Sequence, residues 1–158
     1  MPQLVKGGKY IFGRTKINDT MKIRIPDEAW DEYGFSGISE VLLLSASKTS
    51  GGFSIHRPDV IMKSKLKSMI APLGYSEETN SFKAGFQDIF VTNGRLMCRT
   101  LLDENKYIVL SEKICDRLNL RTGDYLLVGR GSGLGPAFIA KGPIYSEAEK
   151  HDNIPEFQ

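Results

Sequence analysis

Four basic side chains near the start of the sequence have the spacing of a binding surface. Arg14 and Lys16 are two positions apart, and so are Lys22 and Arg24. Successive side chains of a β-strand point to opposite faces, so each pair shares one face of its strand. We expect the four cations to lie on the outward side of a two-stranded element, a shape that enters a DNA groove with phosphate contacts. A solvated strand face is the alternative explanation of the same charge pattern.

The strands that carry these cations belong to a unit that occurs twice, without a gap, at an offset of 85 residues. The unit is predicted as strand, turn, strand, short helix, turn and strand, and it covers residues 16–43 and 101–128. Ile23 falls at the position of Ile108, and Gly34 falls at the position of Asn119. Glycine and asparagine both tolerate the left-handed conformation in which many helices end. The matched roles predict an internal duplication.

Length and composition are typical of a globular protein. The 158 residues suit one domain, or two small ones that depend on each other, with 41% apolar and 25% charged residues. No apolar run approaches the roughly 20 residues that span a bilayer, and the N-terminus lacks the apolar core of a signal peptide. The two cysteines, Cys98 and Cys115, lack metal-ligand spacing. We therefore expect a cytoplasmic protein with free thiols and no membrane partner.

Charge is unevenly distributed, although the net charge is only +2. Residues 1–25 hold six basic residues and one acidic residue, whereas residues 26–40 hold five acidic residues and no basic one. A basic segment beside an acidic helix gives a polarised surface that can orient a charged partner.

The order of predicted elements divides the chain into four parts. They are a first repeat at 9–57, a helix and connector at 58–84, a second repeat at 85–142 and a polar C-terminal tail at 143–158. The connecting helix is expected from 58 to about 71, because apolar residues recur there at helical spacing. The lysines Lys63, Lys65 and Lys67 point elsewhere on that helix. In the tail we expect a short helix from Ser146.

No constellation of residues indicates an enzyme. The glycine-rich stretch at 129–136 matches neither the P-loop nor the dinucleotide pattern, and we expect it to be a mobile hairpin tip. His56 and His151 are isolated in sequence, so we expect both at the surface. Paired acids and Cys–His arrangements do not stand out. The sequence predicts no catalytic residue, no cofactor and no metal.

The first repeat resembles the AbrB/SpoVT swapped-hairpin family. The resemblance rests on the order Asn18, Lys22, Ile23, Ile25 and Pro26, a short helix, Gly34-Phe35 and an apolar strand. The second repeat adds Thr122-Gly123-Asp124, close to the characteristic Gly-Asp turn of the family. The resemblance covers about residues 10–56 and 95–141, and two copies in one chain are similar to the MraZ family. It implies a mainly β chain with short helices: a duplicated swapped-hairpin β-barrel of β-β-α-β repeats plus a connecting helix.

Site residues follow from the resemblance position by position. Lys16 and Lys22 match basic positions of the family around the turn. The helix positions at which members of the family often carry further bases hold Trp30 and Asp31 here. In the second copy, Tyr107 and Val109 replace Lys22 and Arg24. Only the first copy is therefore expected to present a basic ribbon, while the 58–71 helix or another subunit covers the second.

The resemblance and the basic face together predict a DNA-binding transcriptional regulator. The expected DNA contacts are Arg14, Lys16, Lys22 and Arg24. Because each chain offers one such ribbon, a palindromic site needs two chains, so a homodimer is expected. The alternative is a non-enzymatic protein-interaction module, antitoxin-like or a scaffold, on the same fold without DNA binding.

Overall fold

Strands dominate the part of the chain that the structure describes. The computed structural model describes residues 3–4, 10–79, 81–86, 88–131, 134–150 and 154–158. These residues form thirteen strands, four short α-helices and one 3-10 turn. The prediction of a mainly β chain with short helices is confirmed. No helix among these residues is long and apolar enough to cross a membrane. His151 lies outside the described residues.

Eighteen strands, helices and turns follow one another along the described residues. The first part contains β1 (Gln3–Leu4), β2 (Tyr10–Lys16), β3 (Lys22–Arg24), α1 (Asp27–Glu32), β4 (Glu40–Ser45) and β5 (Phe53–His56). The connector contains α2 (Pro58–Ile61), the 3-10 turn (Ala71–Leu73), β6 (Tyr75–Ser76) and β7 (Ser81–Phe82). The second repeat contains β8 (Phe90–Thr92), β9 (Arg95–Leu101), β10 (Tyr107–Val109), α3 (Glu112–Leu118), β11 (Tyr125–Gly129) and β12 (Ala137–Ile139). The tail contains α4 (Pro143–Ala148) and β13 (Glu156–Phe157).

Local geometry repeats at the 85-residue offset. Strands β2 and β9 begin and end 85 positions apart, and so do β3 and β10. Gly34 and Asn119 have φ of 66° and 58°, and both follow the helix of their copy. Met21 and Lys106 also have positive φ, at 58° and 73°. Both copies therefore turn and end their helices in the same backbone conformation.

A short polar side chain organises the turn between the first two strands of each copy. Asn18 Oδ1 accepts the N–H groups of Thr20 and Lys22, both at 3.0 Å. Asp103 Oδ1 accepts the two amides at the corresponding positions, at 3.0 and 2.9 Å, from Asn105 and Tyr107. Asn and Asp favour such turns because their side chains reach backbone amides two or more residues ahead.

The large sheet is open and mixed. Its strand order is β1-β2-β11-β12-β5-β4-β9-β8, and β13 pairs with β2 in parallel. Strands β3 and β10 form a separate antiparallel ribbon, and β6 pairs with β7. None of the three sheets formed by the described residues closes on itself. The closed barrel that the family resemblance implies stays a prediction.

Strands of one copy pair with strands of the other. Lys16 lies opposite Tyr125 in the β2–β11 pair, and Leu101 lies opposite Glu40 in the β9–β4 pair. These two pairs correspond at the 85-residue offset, so both interfaces have the same register. Strand β5 pairs with β12, where the rings of Phe53 and Phe138 stack 4.8 Å apart.

A central core is shared by both copies, and two smaller clusters cover the outer faces. The central cluster includes Ile23, Ile108, Phe53 and Phe138. One outer cluster packs the connector on the sheet through Leu42, Leu44, Ile61, Leu73 and Met97. The other packs the tail on the sheet through Ile11, Leu127, Ile139, Ala148 and Ile154. The connector and the tail thus complete the two outer layers.

An irregularity between Val128 and Gly129 makes the two copies differ. At this point the register of β11 against β2 shifts, and Gly129 lies opposite Ile11. A one-residue shift turns a strand residue to the other face of the sheet. Ile11 accordingly packs under the tail, whereas Leu96, its counterpart 85 positions later, packs in the central core.

The predicted helix from 58 to about 71 is wrong beyond its first turn. Helix α2 ends at Ile61, and turns follow as far as the 3-10 turn. Ser64 Oγ donates to Ile61 O at 2.7 Å and accepts the N–H of Leu66 at 3.1 Å. Such side-chain bonds compete with the helical backbone bonds. The apolar spacing therefore reflects packing of a turn-rich segment on the sheet.

Candidate nucleic-acid interface

Strand β2 positions the first two candidate cations on the face opposite the central core. Thr15 and Ile17 are fully buried, whereas Arg14 and Lys16 are partly exposed. The Lys16 ammonium lies 5.8 Å from the centroid of the Tyr125 ring on the neighbouring strand. Burial confirms the predicted alternation from Arg14 to Ile17. The expectation that Ile11 shares the face of Thr15 and Ile17 is wrong, because Ile11 packs under the tail.

Strand β3 positions the other two cations on a different ribbon. Ile23 is fully buried between the partly exposed Lys22 and Arg24. Across the ribbon, Arg24 lies opposite Tyr107, and Lys22 lies opposite Val109. Lys22 and Arg24 therefore share an outward face with two side chains of the second copy.

The expectation that all four cations lie on one two-stranded element is wrong. Strand β2 hydrogen-bonds to β1, β11 and β13, whereas β3 hydrogen-bonds to β10. The turn held by Asn18 joins β2 and β3 in sequence, but burial of Ile23 opposite Ile108 aligns β3 with the other copy. The cations thus lie on two adjoining strands of different sheets.

Three of the four cations pair with carboxylates. Lys22 Nζ lies 3.8 Å from Asp103, and Arg24 lies 2.7 Å from Asp27. Arg14 lies 3.6 Å from Glu156. Asp27 also accepts a hydrogen bond from Lys106 at 2.9 Å, and this bond, aided by the charges of Lys106 and Arg24, lowers the pKa of Asp27. The positive charge of the candidate DNA-binding residues is therefore partly neutralised.

Residues 154–158 pair with the edge of β2 and reach the β3–β10 ribbon, and we call them the strap. In the strap, Glu156 lies opposite Arg14 in the parallel β13–β2 pair. The Phe157 ring centroid lies 5.8 Å from the Arg24 guanidinium. Tyr107 donates a hydrogen bond from its hydroxyl to Gln158 O at 2.6 Å. The strap thus contacts β2, β3 and β10. It contacts Tyr107 on the outer face of the second copy, where the sequence suggested cover by the 58–71 segment or another subunit.

Three buried polar atoms of β2 and β3 make no hydrogen bond with any residue that the structure describes: two belong to candidate cations, and the third belongs to Thr15 on the core side of β2. They are Nε of Arg14, Nε of Arg24 and Oγ1 of Thr15. Buried donors are normally satisfied, and leaving one unpaired costs about 1–3 kcal/mol. The two guanidinium Nε atoms are therefore donors that their present neighbours leave without an acceptor.

Two other sequence predictions concern residues away from this face. His56 is buried rather than exposed, because it lies on β5 with its Nε2 2.8 Å from Ser54 Oγ. Burial lowers the pKa of His56 to about 4, so the imidazole is neutral at pH 7. Cys98 and Cys115 are free and buried, in agreement with the prediction of free thiols.

The glycine-rich stretch is anchored where the structure describes it. Arg130 makes two hydrogen bonds to Glu32, at 2.8 and 2.6 Å, and Gly131 N–H donates to the Tyr33 hydroxyl at 3.2 Å. Residues 132 and 133 lie outside the described part of the chain. The mobility of the tip and its lack of nucleotide binding stay predictions. Among the described side chains, no group of three or more His, Cys, Asp or Glu could hold a metal ion.

Sequence reasoning missed the residues of the tail that cover the candidate site. The tail was expected to be polar, yet Ile154 is only 6% exposed and Phe157 contacts Arg24. Helix α4 also begins at Pro143, three residues before the predicted start at Ser146. The available signal was the pair of apolar residues, Ile154 and Phe157, at the end of the tail.

No protein-family model matches the sequence, and no curated protein matches it significantly.

Proposed function

We propose that this chain is a cytoplasmic DNA-binding transcriptional regulator of AbrB/SpoVT type. One observation carries the proposal: Lys22 and Arg24 project from the same outward face of a two-stranded ribbon that is separate from the large sheet. A ribbon of two strands fits the major groove, and cations on its outer face reach phosphates.

The pairing between copies supports the family framework. Interlocked hairpins bring strands of two equivalent units together in pairs of equal register. The β2–β11 and β9–β4 pairs have this property at the 85-residue offset, and β3 and β10 meet at equivalent residues. The proposal therefore includes a duplicated swapped-hairpin barrel as the scaffold for the ribbon.

The ion pairs on this face are compatible with exchange for phosphate. In the Lys22–Asp103 pair, the two side chains are 39% and 34% exposed. Exposed pairs of this kind contribute about 0–1 kcal/mol each. A phosphodiester can replace the carboxylate at little cost, and it brings acceptor oxygens for the unsatisfied Nε atoms of Arg14 and Arg24.

A two-fold arrangement of two chains follows from the unequal copies. Tyr107 and Val109 occupy the positions that correspond to Lys22 and Arg24, so each chain supplies one basic ribbon. Two chains related by a two-fold axis would present ribbons to successive grooves of a palindromic site. We therefore propose a homodimer as the DNA-bound form.

Salt dependence of DNA affinity tests the proposal. We would measure affinity for duplex DNA from about 50 to about 300 mM salt for the wild type and for the Lys22→Ala, Arg24→Ala double variant. Each lost phosphate contact should reduce the log–log slope by about one unit, so the double variant should lose about two. The matched control is Lys63→Ala, Lys65→Ala, which removes two exposed lysines of the connector and should leave the slope unchanged.

The second candidate is a non-enzymatic protein-interaction module without DNA binding. The observation that favours it is the pairing of Arg14, Lys22 and Arg24 with carboxylates of the same chain. Absence of DNA binding by the wild type at low salt would favour this candidate. So would equal salt slopes in the wild type and the Lys22, Arg24 variant.

A further inference from the structure

The strap (residues 154–158) is bound at the edge of β2 by backbone and side-chain contacts. The N–H of Arg14 donates to Pro155 O at 2.7 Å, and the Glu156 carboxylate lies 3.6 Å from the Arg14 guanidinium. Phe157 lies opposite Thr15, with its ring near Arg24. The strap therefore contacts two of the four candidate DNA-binding residues.

Gly13 makes room for the strap. A β-carbon at this position would lie 2.6 Å from the Phe157 ring and 2.9 Å from Pro155 O. Gly13 is not among the glycines with positive φ, so its backbone conformation does not require glycine. The corresponding residue of the other copy is Cys98, which carries a β-carbon in the central core. The missing side chain at position 13 is therefore explained by the close approach of the strap.

The second copy shows how the same place is filled without a strap. There, Thr100 donates a hydrogen bond from its hydroxyl to Val109 O, which joins β9 directly to β10. Thr15, the counterpart of Thr100, is fully buried and has no such partner among the described residues. In the first copy, the Phe157 ring lies against Gly13 and near Arg24 instead.

We propose that the strap is a displaceable occupant of the DNA interface and that DNA and the strap compete for Arg14 and Arg24. This inference rests on the proposed function. The bound strap offers one carboxylate and one aromatic ring, and it leaves the Nε atoms of Arg14 and Arg24 unsatisfied. Phosphate oxygens can satisfy more of these donors. DNA therefore binds the strap-free state better, and this difference in affinity shifts the population toward release.

Two variants weaken the strap without removing a positive charge. Gly13→Ala places a methyl group against Phe157 and Pro155, and Phe157→Ala removes the ring from the interface. The matched controls are Gly85→Ala, whose new methyl group would have the Asp88 side chain as its nearest neighbour, and Phe86→Ala. The Phe86 ring lies 4.2 Å from the guanidinium of Arg99, which is the counterpart of Arg14 in the second copy.

Two readouts separate release of the strap from DNA binding. Hydrogen exchange of the Arg14 amide reports on its bond to Pro155 O and requires no DNA. DNA affinity at low salt reports on competition, because a site that is free in only a fraction of molecules binds more weakly by that fraction. Both strap variants should speed Arg14 exchange and raise DNA affinity about tenfold. Both controls should match the wild type in each measurement.

The outcomes distinguish the two proposals. If the strap variants exchange faster at Arg14 but bind DNA with wild-type affinity, the competition is overturned and the proposed function stands. Unchanged Arg14 exchange in both strap variants would also overturn it. If no form binds DNA, the proposed function fails and the competition fails with it. Glu156→Gln serves as a third variant should Gly13→Ala fail to fold, since the Glu156 side chain is 51% exposed.

Discussion

Ile23 on β3 lies directly opposite Ile108 on β10, and these two fully buried residues are 85 positions apart in the chain. Ile23 in the first copy and Ile108 in the second copy are therefore equivalent positions. Equivalent residues meet in this way at a local two-fold axis. The pair thus marks the point where this axis passes through the β3–β10 ribbon.

Truncation of this pair should be costly and non-additive. Ile23→Ala and Ile108→Ala should each reduce the free energy of unfolding by about 3 kcal/mol, because each leaves a cavity in the central core. Since the two side chains are direct neighbours, a double-mutant cycle should give a coupling above about 0.5 kcal/mol. Urea unfolding of the wild type, the two single variants and the double variant measures the four free energies of unfolding. Val109→Ala, at a partly exposed position of the same strand, is the control, and strict additivity would contradict the pairing.

Loss of Glu40 should destabilise the protein because the largely buried Arg99 would lose its counter-charge. The Arg99 side chain is 12% exposed, and its Nε and one Nη lie 3.0 and 2.7 Å from Glu40. We expect Glu40→Ala to lower the free energy of unfolding by about 3 kcal/mol. Glu147→Ala breaks an exposed pair with Lys150, at 3.5 Å, and should cost under about 0.5 kcal/mol. Similar losses in the two variants would refute the distinction.

Burial of His56 should make stability fall as the solution is acidified. The pKa of His56 is lowered from 6.5 to about 4, so the unfolded chain binds a proton between these values that the folded chain does not. The stability contributed by the neutral imidazole is complete above about pH 6.5 and declines toward about pH 4, by up to about 3 kcal/mol. Urea unfolding of the wild type and His56→Gln across this range isolates the effect, and parallel pH profiles would argue against it.

The two thiols should be unreactive in the folded protein. Burial raises the pKa of Cys98 to about 12, and burial together with Asp116 and Asp124 raises the pKa of Cys115. The thiolate is the reactive form, so little of it is present at about pH 8. A thiol reagent should label neither cysteine in the native protein and both after unfolding in denaturant. Rapid labelling of the native chain would contradict the burial of the thiols.

The repeat itself was predictable because it rests on local chemistry. Asn18 and Asp103 form the same turn, and Gly34 and Asn119 take the same left-handed conformation. Each of these features is decided by a residue and its immediate neighbours. Alternation of Ile23 with its charged neighbours also gave the correct buried face.

Which strands and segments contact each other was not predictable from the same patterns. The alternation that buries Ile23 suits a pair with β2 as well as a pair with β10, so the sequence left the partner of β3 undetermined. Phe157 and Ile154 occur in a polar tail with no period to predict a strand. Ser64 interrupts the expected connecting helix through its own hydroxyl bonds. In each case, a long-range or side-chain contact outweighs the local periodicity.

The two copies, which form the two halves of the fold, are joined in one chain. This connection affects which substitutions each half can accept. In a symmetric homodimer, every substitution appears twice, and dilution separates the halves. Here, the partner half is tethered, so its effective concentration does not depend on the amount of protein. Equivalent positions are also free to diverge: Gly13 admits the strap, while Cys98 fills the core. Tethering thus allows the two halves to differ at equivalent positions while both contribute to the shared core.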